Sequence, residues 1–178
     1  MRLFIAVNFS DYTRSRLLDL RDDLRFRAER GNFSLPENLH LTLVFLGECG
    51  AGQTAAAKSA MDTLSFTPLD IQIERIGRFR RGVGELWWAG VKECEPLLDL
   101  QRELTDKLIA AGFSFDKRKY SPHITLGREV VTDASPWRID LFGEVVSGID
   151  LMKSERVYGK LTYTAIYSKK ALRLHGSE

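Results

Sequence analysis

The chain has 178 residues, 44% of them hydrophobic and 28% charged, with a formal net charge of +2 at pH 7 and a pI near 8.6. These are ordinary globular values with room for a substantial core, and the mildly basic balance is compatible with a nucleic-acid ligand without requiring one. No apolar run approaches a membrane span, and Leu3 to Val7 before Asn8 is too short for a signal-peptide core. Cys49 and Cys94 stand alone, without a Cys-x-x-Cys unit, and read as reduced thiols. A soluble, cytoplasmic protein of one domain or two closely packed lobes is expected.

Residues 2–8 alternate enough for a first strand. Ser10 or Asp11 caps a helix predicted to run to about Arg27, with Leu17, Leu20, Leu24 and Phe26 on its apolar side. Gly31-Asn32 breaks it, and Pro36-Glu37-Asn38 turns the chain into an apolar run, Asn38 to Gly47. After a loop, an Ala-rich helix is predicted from Gln53 or Thr54 to Leu64, then a half-exposed strand over Leu69 to Glu74. Arg75, Arg78, Arg80 and Arg81 cluster around Gly77, Gly82 and Gly84. This reads as the most basic loop, either a solvated hairpin or a receiver of a nucleic-acid backbone. Leu86 to Val91 is the next strand; Trp87 or Trp88 is a candidate for stacking on a base, with core packing expected for at least one.

Glu95-Pro96 opens a helix to about Ala111, with Leu97, Leu100, Leu104 and Leu108 as a core stripe and Gly112 as its stop. The basic Lys117-Arg118-Lys119 precedes a second apolar run, Tyr120 to Arg128. Trp137 to Ser154 and Lys160 to Ser168 read as a final pair of strands joined around Tyr158-Gly159, and His175 lies in a polar tail with no assigned role. Each half thus repeats strand, helix, strand.

Two of the three histidines sit in one pattern: His40-Leu41-Thr42-Leu43 and His123-Ile124-Thr125-Leu126. In a strand, residues two apart share a face, so each imidazole is set beside a hydroxyl while the alternate leucines and isoleucine face a core. An imidazole titrates near pH 6.5, so a pair of them can supply one proton acceptor and one proton donor near neutrality. Each hydroxyl can donate to a phosphoryl oxygen. Metal-free phosphodiester cleavage is the reaction class that most needs this set.

These two motifs resemble the paired signatures of the two-histidine (2H) phosphoesterase superfamily. Arg2 to Val7, Leu39 to Gly47, Gly77-Arg78-Phe79 before Leu86 to Val91, and Tyr120 to Arg128 resemble its RNA 2',3'-cyclic phosphodiesterase branch, first described through 2'-5' RNA ligase activity. The match runs over essentially the whole chain, residues 1–178. It implies an α+β fold, bilobal and duplicated, with two antiparallel sheets lining a central cleft and helices on the outside. It implies a monomer that hydrolyses RNA 2',3'-cyclic phosphate ends, or small cyclic nucleotides, to 2'-phosphomonoesters, with no metal and no cofactor.

By the same resemblance His40 donates a proton to the leaving 3' oxygen, His123 accepts one from water, and Thr42 and Thr125 hold the phosphoryl group. The motifs are nearly interchangeable, so the sequence alone does not decide which histidine plays which part. Arg128 stands where the family often has an arginine and is assigned to substrate binding, but strand alternation puts it opposite His123 unless Gly127 introduces a bulge. Tyr120 occupies a place that is often Phe.

Three other readings compete: 2'-5' ligation as the main activity, a non-catalytic nucleotide- or RNA-binding module, and a metal site using His40, His123 and a cysteine. The last lacks the tight local ligand pairs usual for zinc.

Overall fold

A computed structural model describes residues 1–174; His175 lies outside them. Among the described residues nine strands form two antiparallel sheets, and three α-helices cover them. The chain runs β1 (Arg2–Val7), α1 (Asp11–Arg27), β2 (Ala28–Phe33), β3 (Leu41–Glu48), α2 (Ala51–Asp62), β4 (Leu69–Arg80), β5 (Glu85–Val91), α3 (Glu95–Ala110), β6 (His123–Thr132), β7 (Trp137–Val146), β8 (Gly148–Val157) and β9 (Lys160–Lys170). One sheet has the order β3-β1-β8-β9 and the other β2-β6-β5-β4-β7. This is the α+β, two-sheet arrangement implied by the resemblance.

The duplication is visible in the pairing. β1 leads through α1 to β3, its antiparallel neighbour, and β5 leads through α3 to β6, likewise its neighbour. The helices are exchanged: α1 packs on β2, β6 and β7, while α3 packs on β3 and α2 on β9. Each sheet is therefore covered by a helix that follows a strand of the other. Leu3, Ile5 and Val7 on one side and Ile71, Ile73, Trp87, Ile124 and Leu126 on the other belong to one continuous core cluster.

The helix stripes follow the sequence pattern with one exception. Leu97, Leu100, Leu104 and Leu108 are buried in α3, and Gly112 (φ of 100°) closes it as Phe113 N–H donates to the Leu108 carbonyl. In α1, Leu17 and Leu24 are buried, but Phe26 is 91% exposed. The helix gives way at Ala28 to β2, an edge strand, so the chain changes conformation before Gly31-Asn32. Ser10 occupies the N-cap, yet its hydroxyl and N–H both donate to Glu144.

Two further expectations are corrected. The arginine-rich segment is not a loop: β4 continues to Arg80, because Arg75 to Arg80 pair with β5. Trp137 to Ser154 is not one strand. It breaks at Ser147, where β7, the edge of the five-stranded sheet, passes into β8 at the centre of the other. The hairpin at Tyr158-Gly159 is as expected, both residues having positive φ in a two-residue turn between Val157 and Lys160.

Candidate active site

His40 immediately precedes β3 and Thr42 lies near its start, on an edge strand of the four-stranded sheet; His123 and Thr125 open β6 in the other sheet. The two signature strands are not hydrogen-bonded neighbours. They meet across the boundary between sheets, where Tyr120, in the approach to β6, donates its hydroxyl to the Thr42 carbonyl at 2.8 Å. The tyrosine hydroxyl therefore adds a tie between the motifs that a phenylalanine would lack.

The two imidazoles are held alike. Nδ1 of His40 is 2.7 Å from the Asn38 carbonyl, and Nδ1 of His123 is 2.7 Å from the Ser121 carbonyl, in each case two residues upstream. A carbonyl only accepts, so Nδ1 carries the proton and the neutral ring has its lone pair on Nε2. His40 Nε2 lies 2.9 Å from the Thr42 hydroxyl. His123 Nε2 and the Thr125 hydroxyl have no protein partner among the described residues.

Aromatic rings fix both imidazoles. His40 packs between Phe4 and Tyr163, with centroids at 4.8 and 5.2 Å. His123 meets Phe79 edge-on at 5.2 Å and Trp88 at 6.2 Å. Trp88 lies flat over Gly77 and Gly90: a Cβ on Gly77 would fall 2.2 Å from its Cη2, and one on Gly90 2.8 Å from its Cζ3. The Arg75 guanidinium is 5.1 Å from the Trp88 ring. Trp87 is fully buried on the opposite side, against Trp137. Both tryptophans are thus used in packing.

Burial lowers the pKa of both histidines, and positive charge adds to the effect: Arg128 and His123 act on His40, while Arg128 and Arg81 act on His123. Their hydrogen bonds to backbone carbonyls oppose the shift. Burial also raises the Tyr163 pKa, and the Arg128 charge works against that rise. One guanidinium therefore acts on groups from both sheets, and it has no ion-pair or hydrogen-bond partner among the described residues.

Arg128 reaches this position through a break in alternation. On β6, Thr125 pairs with Trp88 and Gly127 with Trp87, so β6 carries one more residue than β5 over that step. Leu126 and Gly127 are both buried, and Arg128 emerges on the face of His123. The bulge at Gly127 is present.

Of the basic residues singled out in the sequence, Arg78 and Arg80 are engaged by Glu85 at 3.1 and 3.8 Å, while Arg81 lies over Phe79, 5.9 Å from the ring centroid. Arg118 is exposed and 3.9 Å from Asp116. Phe4 and Phe79 entered the sequence analysis only within stretches that carry the family resemblance, and Tyr163 only within a predicted strand; none of the three was assigned to the site. No group of three or more His, Cys, Asp or Glu able to hold a metal occurs among the described residues. Two other concavities, one between α1 and β7 and one lined by Phe66, Leu100 and Leu172, share no residue with this constellation.

Two sheets of this order, each carrying a His-x-Thr motif where β3 and β6 approach one another, define a two-histidine phosphoesterase fold. The chain belongs to the 2'-5' RNA ligase superfamily, whose family model matches residues 16–150. It is 34% identical over 153 residues to the RNA 2',3'-cyclic phosphodiesterase of Archaeoglobus fulgidus, covering 82% of this chain and 85% of that one. It is 32% identical over 180 residues to the protein of the same name from Methanothermobacter thermautotrophicus, covering 92% and 95%. The crystal structure of Escherichia coli LigT complexed with 3'-AMP superposes with a TM-score of 0.86 at 24% identity, covering 97% of this chain and 98% of that one, a likeness of fold.

Proposed function

We propose that this protein hydrolyses RNA 2',3'-cyclic phosphate ends, the activity its relatives are named for, and that the product is a 2'-phosphomonoester. The observation that carries the reading is the matched pair of imidazoles, each with Nδ1 tied to a carbonyl, in a site where one guanidinium without a partner among the described residues acts on both.

His123, with an unpartnered Nε2, takes a proton from water as the water oxygen attacks phosphorus. His40, protonated at Nε2, gives its proton to the 3' oxygen as the bond from that oxygen to phosphorus breaks. The Thr42 hydroxyl beside His40 Nε2 can accept from the protonated ring, which favours His40 as the donor. Thr125 and Arg128 hold the non-bridging oxygens, where negative charge develops. One water is consumed, and the 2' oxygen keeps the phosphate.

The same reading takes residues 1–178 as one bilobal domain acting as a cytoplasmic monomer; no helix of the described residues is long and apolar enough to cross a membrane. An oligonucleotide ending in a 2',3'-cyclic phosphate tests the reading when the product's regiochemistry is determined. A 2'-phosphate is expected; a 3'-phosphate would reverse the assignment of the leaving oxygen, and no product would remove the activity.

A further inference from the structure

Arg128 is held between two irregularities of β6, and only the first is needed to turn it toward His123. The second follows at once. Between Gly127 and Val130 β6 spans three steps while its partner β5 spans two, from Trp87 to Glu85. On the other flank, Arg128 to Val131 spans three steps against two on β2, from Asn32 to Arg30. The extra residue returns Val130 to full burial in the core. Arg128 is thus the single residue between two bulges, flanked by segments anchored in the core.

The second bulge is strained and clamped. Glu129 has a φ of 51°, in the left-handed region that non-glycine residues rarely occupy. Gly84, itself at φ 77°, presses on its backbone: a Cβ on Gly84 would lie 2.6 Å from the Glu129 carbonyl carbon and 2.7 Å from its Cα. Asn32 Nδ2 donates to Glu129 Oε2 at 3.0 Å. Neither contact touches the histidines or threonines, so nothing in the acid–base pair accounts for them.

We infer that this double bulge, fixed by Gly84 and Asn32 against Glu129, is a positioning device that aims the Arg128 guanidinium at the phosphoryl group. Gly84, Asn32 and Glu129 are positioning residues, acting through Arg128. The inference rests on the assignment of Arg128 to the phosphoryl group in the function proposed above.

A kinetic double-mutant cycle tests it, with affinity for inorganic phosphate measured in parallel. Gly84→Ala is expected to lower kcat/KM about 10²-fold in the wild-type background, the scale of a displaced positioning group. In the Arg128→Ala background it should lower kcat/KM by less than about twofold, because the group it acts through is gone. Glu129→Gly accepts the positive φ without strain and removes the carboxylate that Asn32 holds. It is expected to melt no lower than the wild type, yet to lose turnover and phosphate affinity only where Arg128 is present. Losses that multiply in the Arg128→Ala background overturn the inference, as do unchanged kinetics and phosphate affinity in both variants. Failure of the wild type to hydrolyse the cyclic phosphate would remove the proposed activity, and the phosphate-affinity cycle would then decide the role of the bulge by itself.

Discussion

The Nε2 of His40 and the hydroxyl of Thr42 are 2.9 Å apart, whereas the Nε2 of His123 has no hydrogen-bond partner among the described residues. Two motifs that are almost interchangeable in sequence are therefore unequal in structure. His40→Ala and His123→Ala are each expected to lower turnover about 10²–10⁴-fold, the range of one acid–base group. Thr42→Val should in addition move the limb of the pH–rate profile that reports the acid. Thr125→Val should keep the profile's shape and lower kcat/KM about 10–100-fold, the worth of one hydrogen bond to a charged group. Identical profiles for the two threonine variants would contradict this inequality.

The pH dependence has a definite sign. Burial, assisted by Arg128, lowers both imidazole pKa values from 6.5. The base must be neutral and the acid protonated, so both limbs of kcat/KM lie on the acidic side of their usual place and report the pair as a unit. Removing a positive charge favours the protonated rings. Arg128→Ala is therefore expected to shift the whole bell toward higher pH while lowering its height. A shift toward lower pH, or a profile flat from about pH 5 to 9, would count against the assignment.

What could be read from the sequence was what depends on local period. The His-x-Thr faces, the leucine stripe of α3 and the Tyr158-Gly159 turn need only neighbours along the chain. β2 was not legible because Ala28 to Phe33 is a mostly polar edge strand without alternation, recruited by its pairing with β6. Arg75 to Arg80 looked like a loop because arginines and Gly77 broke the apolar pattern. In the fold Gly77 is bare so that Trp88 can lie on it, and Arg75 and Arg78 cover the faces of Trp88 and Trp87. The face of Arg128 hung on a bulge at Gly127 that parity could name as a condition but not supply; the second bulge, at Glu129, is contacted by Gly84 and Asn32, far off in the chain.

Gly77 shows how tightly this wall is packed. A Cβ there would sit within 2.7 Å of three carbons of Trp88, a residue only 6% exposed whose ring has His123 as a neighbour. Gly77→Ala is expected to destabilise by about 1–3 kcal/mol, the usual cost of overpacking. That should lower Tm by about 2–4 °C for each kcal/mol at this size, measurable by calorimetry. Turnover should fall as well, because a displaced indole shifts the imidazole it supports. An unchanged Tm would mean that the indole has somewhere else to go.

Salt dependence separates the arginines that are free to meet RNA from those already engaged. Arg78 and Arg80 share Glu85, so their charge is partly answered within the protein. Arg81 lies over Phe79 beside His123 and Arg128 has no partner among the described residues, while Arg75 lies over Trp88 and is 4.0 Å from Glu74. Each phosphate neutralised on a single strand contributes about 0.7 to the slope of log affinity against log salt. Oligonucleotide affinity should therefore fall with salt, and Arg81→Ala should flatten that slope by about 0.7, more than Arg80→Ala does. A cyclic mononucleotide offers one phosphate, at the histidines, so its binding should respond less to salt and little to Arg81→Ala. Equal slopes for oligonucleotide and mononucleotide would confine recognition to the reacting end and leave Arg75 and Arg81 as packing for the aromatic wall.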